Sequence, residues 1–164
     1  MTPGDDLRVG IGFDAHAFAQ ARPLVLAGVT ITAERGLEGH SDADLVSHAV
    51  TDALLGAAGM EDIGHLFPSG DPALAGASSI GLLGQAWERV HAAGWTIVNV
   101  DAIVIMQAPR LAPHRDAMRD SLAAALGVDR SRVTVRASTT DHLGFAGRGE
   151  GAACQAAALL RKAA

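Results

Sequence analysis

Residues 152–163, AACQAAALLRKA, decide what this chain builds at its C-terminal end. Alanine gives up no side-chain freedom in a helix, so local propensity reads the stretch as helical. Working outward from it, Arg132–Ser138 is β-branched and reads as a strand, and His114–Leu126 as a helix closed by Gly127. Trp95–Gln107 alternates and is β-branched, which predicts a strand followed by the loop Ala108–Pro113. Ser78–Ala93 places Leu82, Leu83, Ala86, Trp87 and Val90 on one helical face, with Gly94 as its cap. Further upstream, Leu7–Phe13 is a strand, and Pro23–Thr32 is a hairpin turning at Ala27-Gly28. Ala33–His40 is a loop, and a helix runs from about Ala43 to Gly59. Alternating strands and helices give an α/β or α+β two-layer domain.

The chain has 164 residues, enough for one domain spanning 1–164 with a proper core. Hydrophobic residues make up 49% but aromatics only 4%, so the core is aliphatic. A formal net charge of −5 with no basic run argues against a nucleic-acid groove. An anionic substrate therefore needs metal ions, backbone N–H groups or a few arginines. Cys154 is the single cysteine, which rules out a disulfide framework and reads as a buried core residue. Met1–Asp6 contains no apolar signal region, and no run reaches membrane-spanning length, so the expected location is cytoplasmic.

Chemistry enters with Gly10–Phe18, GIGFDAHAF. Side chains at i and i+2 of a strand share a face, so Asp14 and His16 present a carboxylate and an imidazole to one side. The second polar cluster is His40–Asp52. Leu45, Val46, Ala49, Val50, Ala53, Leu54 and Ala57 form the apolar stripe of its helix, with Ser41 or Asp42 as the expected N-cap and Asp44 in the first turn. Asp44, His48 and Asp52 stack at i, i+4 and i+8, so a flanking carboxylate is expected to orient the His48 ring. Any one of these residues taken alone reads as part of a solvated surface. In combination, Asp14, His16 and His48 form a two-histidine, one-carboxylate set with a fourth position open, the ligand set of a catalytic zinc.

Two further stretches stand out. Met60–Gly76 is a long irregular segment rich in Gly, Pro and Asp, and compact domains seldom carry one without a use. Gly144–Gly151 lacks the spacing of a P-loop or a dinucleotide fingerprint and reads as a turn whose N–H groups can meet an anion.

Five separated segments carry a resemblance: RVGIGFDAHAF (8–18), GLEGHSDADLVSHAVTDALLGAAG (36–59), DIGHLFP (62–68), NVDAIVIMQAPRLAPH (99–114) and TVRASTTDHLGFAGRGEGAAC (134–154). In order and together they resemble the 2-C-methyl-D-erythritol 2,4-cyclodiphosphate synthase family of non-mevalonate isoprenoid biosynthesis. The resemblance implies an α+β two-layer domain, with a mixed four-stranded sheet, helices on one face and a small hairpin, assembled as a homotrimer. It also implies that 152–163 is a strand, against local propensity. The implied reaction is cyclisation of 4-diphosphocytidyl-2-C-methyl-D-erythritol 2-phosphate with release of CMP, in sites built from two chains.

The same resemblance implies roles for individual residues. Asp14, His16 and His48 match zinc ligands, one zinc (or another divalent transition metal) per subunit. Asp141 matches a ligand of a second ion, magnesium or manganese, carried with the substrate diphosphate. His40 and Thr139 match positions that stabilise the transition state. Asp62, Ile63 and Gly64 match the part that holds the methylerythritol hydroxyls. The segment Phe67–Asp71, with Ser69 in it, matches one that also contacts this half, and Ser41, Asp14 and His16 match further substrate-binding positions. Met106, Ala108, Pro109, Arg110, Leu111 and Ala112 match the cytidine pocket, and Ser138, Phe145 and Arg148 match further substrate contacts. Two positions depart from the family pattern. Ser69 stands where some relatives carry an acidic residue, and Asp141 stands where relatives carry a glutamate one methylene longer. The implied partners are the small-molecule substrate and further copies of the chain, with no nucleic acid and no membrane. At 164 residues the chain has no room for a fused transferase. The residues by themselves also suit a zinc hydrolase acting on a phosphoester, or a trimeric binding module that uses metal only for assembly.

Overall fold

Period-two patterning in Leu7–Phe13 continues beyond the apolar run. In the computed structural model, which describes residues 6–164, β1 covers Leu7–Ala19. The reading of Met1–Asp6 falls almost wholly outside the described residues. β2 (Leu24–Leu26) and β3 (Val29–Ile31) form the expected hairpin, and β4 is the short Gly36–Leu37. Ala27 and Gly28 turn the hairpin with φ of 52° and 73°, the two positive values a two-residue turn of matching twist requires.

Next come α1 (Leu45–Ala58) and α2 (Ile63–Leu66). The stretch read as irregular, Met60–Gly76, thus contains α2 and a 3₁₀ turn at Pro72–Leu74. α3 (Ser79–Ala92), β5 (Trp95–Ile105), α4 (Arg115–Leu126) and β6 (Val133–Ser138) follow as expected. The glycine-rich segment is more than a turn, because Gly144–Gly147 forms one helical turn, α5. β7 (Gly151–Lys162) ends the fold. Among the described residues no helix is long and apolar enough to cross a membrane.

The sheet order is β4-β1-β7-β5-β6, with β7 antiparallel to both β1 and β5, and β5 parallel to β6. Two expectations are corrected here. Local propensity fails at 152–163, because β1 and β5 both need a ladder partner and β7 supplies it along both its edges. The main sheet also has five strands rather than four, because Gly36 and Leu37 pair with Ala19 and Phe18 at the end of β1.

Small residues make the layers fit. Gly10 and Gly12 of β1 and Ala156 and Ala158 of β7 are paired neighbours on one face of the sheet, the face that α1 covers. A Cβ on Gly10 would lie 2.0 Å from the Ala53 carbonyl oxygen, and one on Gly12 1.9 Å from that of Ala49. Glycine at both positions is therefore what lets the α1 backbone lie on the sheet. The core runs from there through Leu54, Leu83, Val90, Val104, Leu122 and Leu160. On the opposite face of β1, Val9, Ile11 and Phe13 are 71%, 70% and 60% exposed.

The start of α1 differs from expectation. Its N-cap is Asp44, not Ser41 or Asp42, and Asp44 is fully buried. Its carboxylate accepts from the Ala27 and Gly28 amides (2.8 and 2.7 Å) and from the Ser47 amide and hydroxyl (3.0 and 2.7 Å). Burial pushes the Asp44 pKa up, and these four donors oppose the shift. One carboxylate thus joins the hairpin turn to the helix.

Candidate metal centre

Asp14 and His16 continue the face of β1 that Gly10 and Gly12 begin, so the glycines that admit α1 also bring its His48 within reach. Asp14 Oδ2 lies 2.8 Å from His16 Nε2 and 2.9 Å from His48 Nδ1. Ligand atoms of all three residues lie within 4.8 Å of one another, and the two imidazole centroids are 5.7 Å apart. These are the three residues the sequence singled out.

The remaining hydrogen bonds show what the cluster accommodates. His16 Nδ1 lies 2.7 Å from the Glu38 carbonyl, which can only accept, so Nδ1 carries the hydrogen and Nε2 turns a lone pair toward Asp14. His48 Nε2 lies 2.8 Å from Ser79 Oγ, and that hydroxyl donates to the Asp42 carboxylate. Having spent its hydrogen, Ser79 Oγ accepts from His48 Nε2–H, which leaves the Nδ1 lone pair facing Asp14. Two imidazole lone pairs and a carboxylate converge with no hydrogen between them, an arrangement that suits a cation. Where ring protons take the place of a cation, burial raises the Asp14 pKa, but the hydrogen bonds and charge interactions with His16 and His48 outweigh this and hold it at about 2. The Asp14 contact in turn raises the pKa of His16, against the opposing effect of burial.

The partners of His48 correct the expected orientation. Neither stacked carboxylate reaches its ring. Asp44 is turned into the hairpin, and Asp52 accepts from the Ile63 amide at 2.7 Å, tying α1 to α2. Ser79 takes that place from the first turn of α3, and nothing in the sequence spacing pointed to it across 31 residues.

His16 and His48 line a cavity of about 190 Å³ together with His40, Ser41, Ile63, Gly64, Phe67 and Ser69 among others. Arg22 donates to the carbonyls of Gly39 (2.7 Å) and Ser41 (2.8 Å), fixing the backbone on either side of His40. His40 Nε2–H donates to the Asp71 carbonyl at 3.0 Å. Asp62 and Asp71 use their carboxylates to cap the short helices that follow them, accepting from the His65 and Ala73 amides.

A second cavity, of about 210 Å³, is lined by Met106, Pro109, Arg110, Leu111, Ala112, Ser138 and Thr139. Ala108 lines a neighbouring cavity of about 280 Å³ with Phe18 and Arg35. His40 and Thr139, expected to act on the same phosphates, thus line different cavities of one chain. Asp141 is exposed with φ of 51° and stands apart from the metal cluster. Phe145 is exposed, and Arg148 pairs with Glu150 at 2.7 Å. Cys154, paired across the strands with Asp14, is buried, and burial pushes its thiol pKa far up, so it is an inert core residue.

Fold and site together define a mixed α+β protein with a two-histidine, one-carboxylate metal-binding cluster between its sheet and its first long helix. Residues 7–161 match the YgbB family, and the chain belongs to it. It is 60% identical to the 2-C-methyl-D-erythritol 2,4-cyclodiphosphate synthase of Rubrobacter xylanophilus, across 95% of this chain and 96% of that one. The enzyme of the same name from Cronobacter sakazakii is 55% identical, across 96% and 99%. Among solved structures, the Campylobacter jejuni bifunctional IspDF superposes with a TM-score of 0.93 at 43% identity, covering 96% of this chain and 42% of that longer one. The Plasmodium falciparum IspF–CDP complex gives 0.85 at 31% identity, covering 97% and 98%.

Proposed function

We propose that this chain cyclises 4-diphosphocytidyl-2-C-methyl-D-erythritol 2-phosphate to 2-C-methyl-D-erythritol 2,4-cyclodiphosphate, as its relatives are named for doing. In this reaction an oxygen of the 2-phosphate forms a bond to the β-phosphorus. The bond from that phosphorus to the bridging oxygen breaks, and CMP leaves with the electron pair. The observation that carries the reading is the convergence of Asp14, His16 and His48, with both histidines lining a cavity that His40, Ile63, Gly64 and Phe67 also line.

Anion attacks anion here, so the protein's contribution is positioning and charge neutralisation. Asp14, His16 and His48 would hold a divalent cation, for which the donor set favours zinc, and Asp141 would hold a second, magnesium or manganese, carried with the substrate. Bound cations supply Lewis-acid neutralisation of phosphate oxygens. His40 is held from both sides with its Nε2–H on the Asp71 carbonyl, so it would donate to a phosphate oxygen from Nδ1 when the ring carries both hydrogens, and Thr139 would donate with its hydroxyl. Asp62, Ile63, Gly64, Phe67, Ser69 and Asp71 seat the methylerythritol half. Backbone groups from Met106 to Ala112 read the cytosine edge, with Arg110 beside the nucleotide phosphates. Ser41, Ser138, Phe145 and Arg148 complete the contacts.

The active form is a homotrimer of single-domain subunits in the cytoplasm, with each site shared by two chains. Two observations support this. His40 and Thr139 line cavities with no lining residue in common, which suits a site assembled from two chains. Val9, Ile11 and Phe13 also form an uncovered apolar row on the outer face of β1. Incubating purified protein with the diphosphocytidyl substrate and following phosphorus by NMR tests the activity. Cyclic diphosphate and CMP are expected, whereas free phosphate with a linear product would make the protein a hydrolase.

A further inference from the structure

Ser79 is fully buried at the start of α3, yet its hydroxyl is not used to cap that helix; Ser78 does so, accepting from the Gly81 amide. Its hydroxyl sits instead between the Asp42 carboxylate and His48 Nε2, with Ser41 Oγ more distant at 3.3 Å. Asp42 is held in turn, because its Oδ2 accepts from the Ser79 amide at 3.1 Å and its Oδ1 from the Asp44 amide at 3.2 Å.

We propose that Asp42 and Ser79 are positioning residues of the metal centre, a two-step hydrogen-bond relay that sets which nitrogen of His48 faces the cation. The direction follows from donor counts. An ionised carboxylate only accepts, so the single Ser79 hydroxyl hydrogen points to Asp42. The Ser79 oxygen then has only lone pairs to offer, and it holds the hydrogen of His48 on Nε2. The Nδ1 lone pair is thereby committed to the side of Asp14, and the ring plane is fixed before any cation arrives. The Glu38 carbonyl does the same for His16 with a backbone atom, so the two imidazoles are oriented by different means. Only the His48 arm can be altered by side-chain substitution. Outer partners of this kind usually change metal affinity about 10–100-fold.

The relay rests on the reading of Asp14, His16 and His48 as a metal centre, and the test separates the two. Zinc and cobalt affinities are measured on the purified full chain by competition with a chromophoric chelator, with thermal unfolding recorded for every variant. His48→Ala is the reference for a broken centre. Ser79→Ala should weaken zinc binding by about 10–100-fold. Ser79→Thr, which keeps the hydroxyl, should stay near wild type. Asp42→Ala removes the acceptor, frees the hydroxyl hydrogen to turn toward His48 and should weaken binding comparably, and it reads the same relay where Ser79→Ala does not fold. Because the two residues act in series, the double variant should lose no more than the worse single one, whereas independent structural roles would add. Wild-type affinity in Ser79→Ala and Asp42→Ala alongside a zinc-poor His48→Ala overturns the relay and leaves the centre standing. Full affinity in His48→Ala as well overturns both.

Discussion

Asp14 and His16 titrate in opposite directions, which gives the metal-free protein a distinctive pH response. The Asp14 pKa is about 2 in the folded chain, below its ordinary 3.8, so its contribution to stability is present above 3.8 and lost as pH falls toward 2. The His16 pKa is raised above 6.5, so its contribution is full below 6.5 and lost as pH rises through the raised value. Chelated protein should therefore unfold at a lower temperature at pH 8 than at pH 5. A cation displaces the His16 proton, so the gain in midpoint on adding zinc should be larger at pH 8. Equal gains at both values would contradict this. His48→Ala should lose the tightly held metal and the cyclase activity while the helix persists on its apolar residues, as metal analysis and circular dichroism would show. Asp141→Asn should raise the magnesium requirement and leave zinc content unchanged; an unaltered magnesium titration would remove Asp141 from the second metal.

At the scale of elements, the site depends on how closely α1 lies on β1. A methyl group on Gly12 would meet the Ala49 carbonyl oxygen at 1.9 Å, and neither backbone can yield without separating the layers. Gly12→Ala is expected to cost about 3 kcal/mol in urea unfolding, near the upper end for overpacking. It should also weaken zinc binding, since Asp14 is two residues further along the same face. A substitution at the exposed Gly70, where an added Cβ meets nothing within 4 Å, serves as the control. Asp44→Ala strands the amides of Ala27, Gly28 and Ser47 at once. Unpaired buried donors of this kind make a loss on the order of 3 kcal/mol the expected result.

For the whole molecule, the proposed trimer rests on the uncovered row of Val9, Ile11 and Phe13 and on the placing of His40 and Thr139 in different cavities. A charge in that row, as in Ile11→Glu, should shift the protein from trimer to monomer in sedimentation and abolish turnover. Mixing His48→Ala with Ala108→Trp after subunit exchange should recover part of the activity, because some interfaces then pair two intact halves. No recovery would mean that each chain carries its own complete site.

The sequence by itself determined which three residues cluster as the candidate metal centre, and most of the element order. Asp14 and His16 share a strand face through period two, and His48 marks a helix face through period 3.6, signals that act over a few residues. The hairpin was legible at Ala27-Gly28 for the same local reason. Residue-level reading failed at 152–163, where alanine favours a helix on its own but fits the centre of a sheet that must lie close under α1; only the motif resemblance pointed to a strand there. The tertiary structure alone decided the partners of the buried polar groups. Asp44 turned to the hairpin, and Ser79 came to His48 from the start of α3. Those choices depend on which distant donors packing brings within hydrogen-bond reach, and no periodicity in the chain encodes them.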